Sequence, residues 1–179
     1  MLRLLVAVPL AFLLALGGYA YFGRVTSPPQ PKTSPLRAGD EAPHFTFPDL
    51  EGQRVSLKDY RGKIVFLNIW ATWCPTCTWE MPSMEAIHRK YRDQGLAILA
   101  VSIDALGKEV VVPYMEKYGL TFPALLDPKG TVKGLYQTTG VPETFLIDRQ
   151  GRLFRKIIGP RKWTDRQMMD LIEIALRSS

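Results

Sequence analysis

Histidine and cysteine are almost absent from this chain of 179 residues, which holds His44, His88, Cys74 and Cys77 and no others. So sparse a set excludes a tetrahedral zinc site as a first reading: the C-x-x-C spacing of Cys74 and Cys77 supplies two ligands, and two more are needed. His44 precedes the pair by 30 residues and His88 follows it by 11, neither at ligand spacing. No metal is therefore expected, and His88 reads as a partly buried helix residue. With no cysteine before Cys74, a lipid-modified cysteine near the amino terminus is excluded as well. Acidic residues are missing from positions 1–39, which carry Arg3, Arg24, Lys32 and Arg37. Most of the net charge of +6 falls there, and from Asp40 onward 19 basic and 17 acidic residues nearly cancel. No basic stripe interleaved with aromatics is visible, so nucleic acid is not an expected partner. Internal repeats are absent too.

Charge is also missing from Leu4 to Phe22, and a helix of that length, rising about 1.5 Å per residue, nearly spans a ~30 Å hydrocarbon core. Residues 1–23 are read as a membrane anchor. A cleaved signal peptide competes, with Leu4–Leu16 as its apolar region and Gly18-Tyr19-Ala20 as its cleavage site, but the apolar run outlasts a typical signal core. Either reading exports the remainder of the chain, although the positive charges on the two flanks do not by themselves fix the orientation. Residues 24–39 hold Pro28, Pro29, Pro31 and Pro35 among Ser, Thr and Gln, a semi-extended tether. Residues 40–179 form the expected folded domain, and 46% hydrophobic and 22% charged residues suit a globular chain.

Within the domain, Phe45–Phe47 and Arg54–Leu57 flank a turn-rich Asp49-Leu50-Glu51-Gly52 and predict a hairpin. Ile64–Trp70, apolar except for Asn68, predicts a strand buried on both faces, and Ala97–Ile103 a second. Between them a helix is expected through about Arg92, with Met81, Met84, Ile87 and Tyr91 on one face and a kink at Pro82. Lys108–Tyr118 reads as a helix, Pro123–Leu126 as a short strand and Thr131–Tyr136 as a helical piece. Thr144–Ile147 and Leu153–Ile158 predict an antiparallel hairpin. A last helix is expected from Thr164, capped by a box with Gln167. Alternating strands and helices followed by a hairpin and a helix imply an α/β domain, a mixed sheet covered on both faces.

Trp73-Cys74-Pro75-Thr76-Cys77 lies where a buried strand gives way to a helix. Cys74 then falls at the helix N-terminus, with Pro75 at the first helical position, where a missing N–H costs nothing. Free backbone N–H groups and the helix dipole favour a thiolate at Cys74, and Cys77, one turn further in, is placed to attack a mixed disulfide formed there. A purely structural cross-link is a weaker reading, since closing a four-residue loop yields about 2 kcal/mol against about 4.7 for a 100-residue loop. Glu80 stands three residues after Cys77 on the same helical face, either a buried proton partner of the thiols or an exposed helical glutamate. Trp73 and Trp79 are candidates for an apolar rim, with Trp79 equally a core candidate.

The W-C-P-T-C string, together with Gly140-Val141-Pro142-Glu143-Thr144, resembles the membrane-anchored, thioredoxin-like TlpA/ResA/DsbE family, over about Gly39 to the C-terminus. The resemblance implies a thioredoxin-like fold, a mixed central sheet flanked by helices with an N-terminal hairpin and an inserted helix-strand unit, matched by Lys108–Leu126. It implies that Pro142 is a cis proline opposite the cysteines, leaving Val141 free to pair with a peptide, and that Glu80 is the active-site glutamate. Asn68 stands where thioredoxin has a buried acid. The catalytic set expected is Cys74, Cys77, Glu80 and Pro142, and the substrate contacts Trp73, Pro75, Thr76, Val141 and Glu143. No cofactor beyond the Cys74–Cys77 disulfide is implied. The family's activity is thiol-disulfide exchange on the extracytoplasmic (periplasmic) side of the cell membrane, reducing apocytochrome c or a maturation partner with electrons from a membrane thiol transporter. A peroxiredoxin-like peroxidase is an alternative, weakened by Ala71 where those enzymes carry threonine. A thioredoxin-like copper chaperone is another, and needs a histidine near the cysteines in space.

Overall fold

The computed structural model describes residues 35–178. The expected anchor and most of the tether lie outside the described residues. Among the described residues no helix is long and apolar enough to cross a membrane. Pro35 to Gly39, assigned to the tether, already touch the domain: Leu36 packs against its core, and Gly39 N donates to Leu153 O at 2.8 Å.

Strands β1 (Thr46–Pro48) and β2 (Arg54–Ser56) form the antiparallel N-terminal hairpin. A 3-10 turn follows at Leu57–Tyr60. It opens with a reciprocal capping box, in which the Ser56 hydroxyl accepts from the Lys58 N–H and the Asp59 carboxylate accepts from the Ser56 N–H. The main sheet comprises β3 (Ile64–Trp70), β4 (Leu96–Ser102), β5 (Ala124–Leu126), β6 (Glu143–Ile147) and β7 (Leu153–Ile158), in the order β5-β4-β3-β6-β7. β3, β4 and β5 run parallel, and β6 and β7 add antiparallel partners. The helices are α1 (Pro75–Tyr91), α2 (Lys108–Tyr118), α3 (Thr131–Leu135) and α4 (Arg166–Arg177). The thioredoxin-like architecture expected from the sequence is present, including the α2–β5 unit.

Why β3 is apolar on both sides follows from its central place, since helices cover each face of a parallel core. Its side chains alternate. Phe66 and Trp70 join Met81, Met84, Ile87 and Tyr91 of α1 and Ile172 of α4 on one face. Val65, Leu67 and Ile69 join Leu99, Phe145, Tyr136 and the hairpin's Phe45 on the other. Tyr136 Oη donates to Pro43 O at 2.7 Å, tying the segment after α3 to the chain entering the domain. Asn68 is a polar break in this strand, directed to the α1 side.

α1 runs without interruption through Pro82 to Tyr91. One local expectation meets a different outcome. The box expected at Thr164 does not form: α4 begins at Arg166 with Asp165 as its cap residue, whose carbonyl accepts from Met168 N and Met169 N at 3.0 Å. The cause lies one residue earlier. Trp163 is drawn into the core and its N–H is held by Ser83 Oγ at 3.0 Å, so the chain is still turning when it reaches Thr164.

Replacing Ser56 by Ala is accordingly expected to lower stability by about 1 kcal/mol. Thr164→Ala is expected to change it by no more than about 0.5 kcal/mol. Chemical denaturation of the two variants beside the parent checks the contrast.

Candidate active site

The end of β3 and the start of α1 bring the two cysteines together. Cys74 is the N-cap of α1, with extended backbone (φ −95°, ψ 108°), and Pro75 occupies the first turn. Cys74 and Cys77 are joined as a disulfide with their Cα atoms 5.3 Å apart. Cys77 N donates to Cys74 Sγ at 3.1 Å, so a backbone donor already points at the sulfur on which charge would develop in the reduced protein. Thr76 Oγ1 lies 3.4 Å from the same sulfur. Cys74 is 4% exposed and Cys77 is fully covered, which leaves Cys74 the sulfur nearer solvent.

Across from the disulfide, the Val141–Pro142 peptide is cis, and Val141 O sits 3.6 Å from Cys74 Sγ. Trp73, Pro75 and Thr76 are exposed around the disulfide. Trp79, undecided between rim and core, is 60% exposed. Val141 is half-buried and Pro142 buried.

Glu80, one turn along α1 from Cys77, is fully buried rather than an exposed helical glutamate. Its Oε1 accepts from Asn68 Nδ2 at 2.9 Å, and the same amide group donates to Thr144 Oγ1 at 3.0 Å. Its Oε2 accepts from Arg161 N and from Trp163 Nε1, each at 3.2 Å. Burial is the largest influence on its acidity and drives it upward. Hydrogen bonds from Arg161 N, Asn68 and Trp163, with the Arg161 charge, pull it back, and the result is a carboxyl group pushed up to about 7. Asn68 serves either protonation state. Its Nδ2 donates to the carboxylate, and its Oδ1, buried without a partner, becomes an acceptor for the acid O–H once the amide rotates.

Glu143 is placed differently from its neighbour in sequence. It is buried, but strand alternation turns it to the sheet face opposite Glu80. There Oε1 accepts from Thr139 N (2.8 Å) and Thr139 Oγ1 (2.6 Å), and Oε2 forms a charge pair with Lys156 at 2.9 Å. The structure therefore brings Cys74, Cys77, Val141 and Pro142 together, sets Glu80 one turn beyond Cys77 in α1, and gives Glu143 the work of holding the loop before β6. His88 is buried with its ring edge-on to Phe122, centroids 6.2 Å apart, and burial lowers its basicity. Among the described residues no group of three or more His, Cys, Asp or Glu side chains is clustered to hold a metal ion.

Some supporting groups carry no sequence signal near the cysteines. Asp104, at the end of β4, accepts from Thr72 N (2.9 Å), Thr72 Oγ1 (2.7 Å) and Ser102 Oγ (2.7 Å), anchoring the turn that leads into Cys74. Tyr114 of α2 donates to Thr78 Oγ1 at 2.8 Å, and Thr78 in turn donates to Cys74 O through its N–H and hydroxyl. Arg161 and Trp163 arrive from a loop some 80 residues from Glu80. Only the Ser-x-Asp at the end of a strand hints at such a loop anchor from sequence.

Residues 38–155 match the model of the AhpC/TSA family. The thiol-disulfide oxidoreductase ResA of Bacillus cereus is 42% identical over 125 residues, 69% of this chain and 71% of that protein. The ResA of Bacillus subtilis is 37% identical over 124 residues, 69% of each. Among solved structures, one from Chlorobium tepidum assigned as the thiol:disulfide interchange protein DsbE superposes with a TM-score of 0.74 at 34% identity, covering 79% of this chain and 99% of that one.

The buried carboxyl makes a measurable demand on stability. Its folded-state pKa lies above its ordinary 4.5, so its stabilising contribution is full below that value and is lost as pH rises through about 7. In the oxidised protein, where the cysteines do not titrate, the parent is expected to lose about 3 kcal/mol more than Glu80→Gln between pH 4 and pH 8. Denaturant midpoints of both proteins across that range give the difference.

Proposed function

The chain belongs to the AhpC/TSA family, among its ResA/DsbE-like thiol-disulfide oxidoreductases, and from that membership we propose that it reduces disulfides in exported proteins. The observation that carries this reading is the Cys74–Cys77 disulfide at the head of α1, with Val141 O 3.6 Å from Cys74 Sγ. In the reduced protein the Cys74 thiolate, favoured by the Cys77 N–H and the helix dipole, attacks a substrate sulfur. A mixed disulfide forms and the first substrate thiolate leaves. Cys77 then gives up its proton and attacks Cys74 Sγ, which expels the second substrate thiolate and closes the Cys74–Cys77 bond. Two electrons pass to the substrate, whose sulfurs take up two protons.

Glu80 is the proton partner for that second attack. One turn along from Cys77 and titrating at about 7, it is close to evenly poised between acid and base at neutral pH, the condition for efficient proton transfer. Val141 presents its backbone to the incoming peptide beside the disulfide, in the manner of an added strand, while Pro142 fixes the turn. Exposed Trp73, Pro75 and Thr76 meet the substrate first, with Glu143 holding the loop from beneath.

The proposed client is apocytochrome c, or a partner in its maturation, and the proposed electron source is a membrane thiol transporter acting through the same two cysteines. The uncharged run Leu4–Phe22 serves as the anchor and the proline-rich tether holds the domain on the extracytoplasmic face.

Trapping tests the assignment. Full-length Cys77→Ala, which cannot resolve the intermediate, is expected to accumulate a mixed disulfide with an oxidised C-x-x-C-H peptide, and Cys74→Ala at least tenfold less. Equal trapping by both variants overturns the attacking and resolving roles. Indifference of Cys77→Ala to the peptide sequence removes the cytochrome clientele.

A further inference from the structure

The loop between β7 and α4 is fastened to α1 more firmly than a connection requires. Ser83 Oγ donates to Glu80 O at 2.7 Å and accepts from Trp163 N at 3.0 Å, while Arg161 N and Trp163 Nε1 both reach Glu80 Oε2. Two residues of one loop thus close on one carboxylate oxygen. Trp163 is fully buried, its ring edge-on to Phe66 with centroids 4.5 Å apart. Phenylalanine would supply most of that packing. What only the indole supplies is a donor, and in this structure the donor is aimed at a carboxylate.

We infer that Trp163 is a positioning residue which, through its indole N–H, holds the Glu80 side chain and fixes how readily it releases its proton. A buried carboxylate gains from every N–H pointed at it, because each favours the charged form over the neutral acid. Oε1 has Asn68, whose amide donates here and carries an acceptor oxygen that a rotation would turn toward the acid. Oε2 has two N–H groups, which can only donate. The indole and the Arg161 amide therefore bias Glu80 toward the anion whichever way the Asn68 amide is turned, and Asn68 adds to that bias while its Nδ2 faces Oε1. The other titratable and charged groups around Glu80 are the cysteine pair on its own helix, the Arg161 guanidinium from the loop and the Tyr114 phenol from α2. None of them is removed when the indole N–H is lost.

The consequence for the thiols rests on the reading of Glu80 as their proton partner, and the two ideas separate experimentally. The full-length chain is prepared with Trp163 replaced by benzothienylalanine, an isostere with sulfur in place of N–H, and in parallel as Trp163→Phe. Carboxyl carbon-13 NMR of the oxidised protein follows the Glu80 titration, and the pH profile of alkylation of the reduced protein follows Cys74 and Cys77. Loss of one hydrogen bond to a charged group is expected to raise the Glu80 midpoint by about one pH unit. The alkylation profile is expected to move with it, and to stop moving in a Glu80→Gln background. A Glu80 midpoint that is unchanged or lower in the isostere overturns the inference, whatever Trp163→Phe does to folding. A midpoint that rises while the alkylation profile stays fixed supports the inference and counts instead against the role given to Glu80.

Discussion

A single buried carboxyl group binds three parts of this molecule to one another. Glu80 projects from α1, takes a hydrogen bond from Asn68 in the middle of β3, and takes two more from the loop that precedes α4. Removing an ionisable group from water is costly unless donors replace the lost hydration. The helix that carries the cysteines, the strand that delivers them and the loop behind them must therefore keep their relative positions for Glu80 to be tolerated. Its acidity is the balance of that arrangement, burial pushing one way and the N–H groups the other.

The thiol chemistry draws on the same arrangement from its other side. Cys74 is set at a helix start by the Asp104-anchored turn before it and by Pro75 after it, and its sulfur faces both a backbone N–H and the Val141 carbonyl. A donor stabilises a thiolate. A nearby carbonyl oxygen does not. The surroundings of Cys74 and of the buried carboxyl behind Cys77 are thus built by groups on different elements, which is how a short motif acquires properties its spacing does not specify.

Much of the frame was readable because its signals are local. Ile64–Trp70, Lys108–Tyr118 and Leu153–Ile158 are bounded by glycine, turn residues or a change of hydrophobic period, and the observed elements keep those bounds. What escaped depends on distant pairing. Glu80 could not be placed inside or outside from helical position alone, because the groups that bury it, Arg161 and Trp163, come from the far end of the chain. Glu143 follows the proline opposite the disulfide and by its place in the chain belongs to the same site, yet the two-residue alternation of β6 sends it to the other face. The Thr164 box obeyed the local rule and lost to the burial of Trp163 one residue earlier.

That alternation also guards the assembly of the sheet. In the native pairing Asn68 lies opposite Thr144, a small hydroxyl beneath the Glu80 carboxyl, while Glu143 meets Lys156 on the reverse side. Slipping β6 by one residue would exchange the faces. In one direction Glu143 would land beside Asn68, crowding two carboxyl groups around one amide and stranding Lys156 without its anion. Because the misregistered sheet is penalised electrostatically as well as by its misplaced apolar side chains, β6 has one admissible alignment. The buried charges on the two faces of β6 thereby act as a proofreading device for that strand.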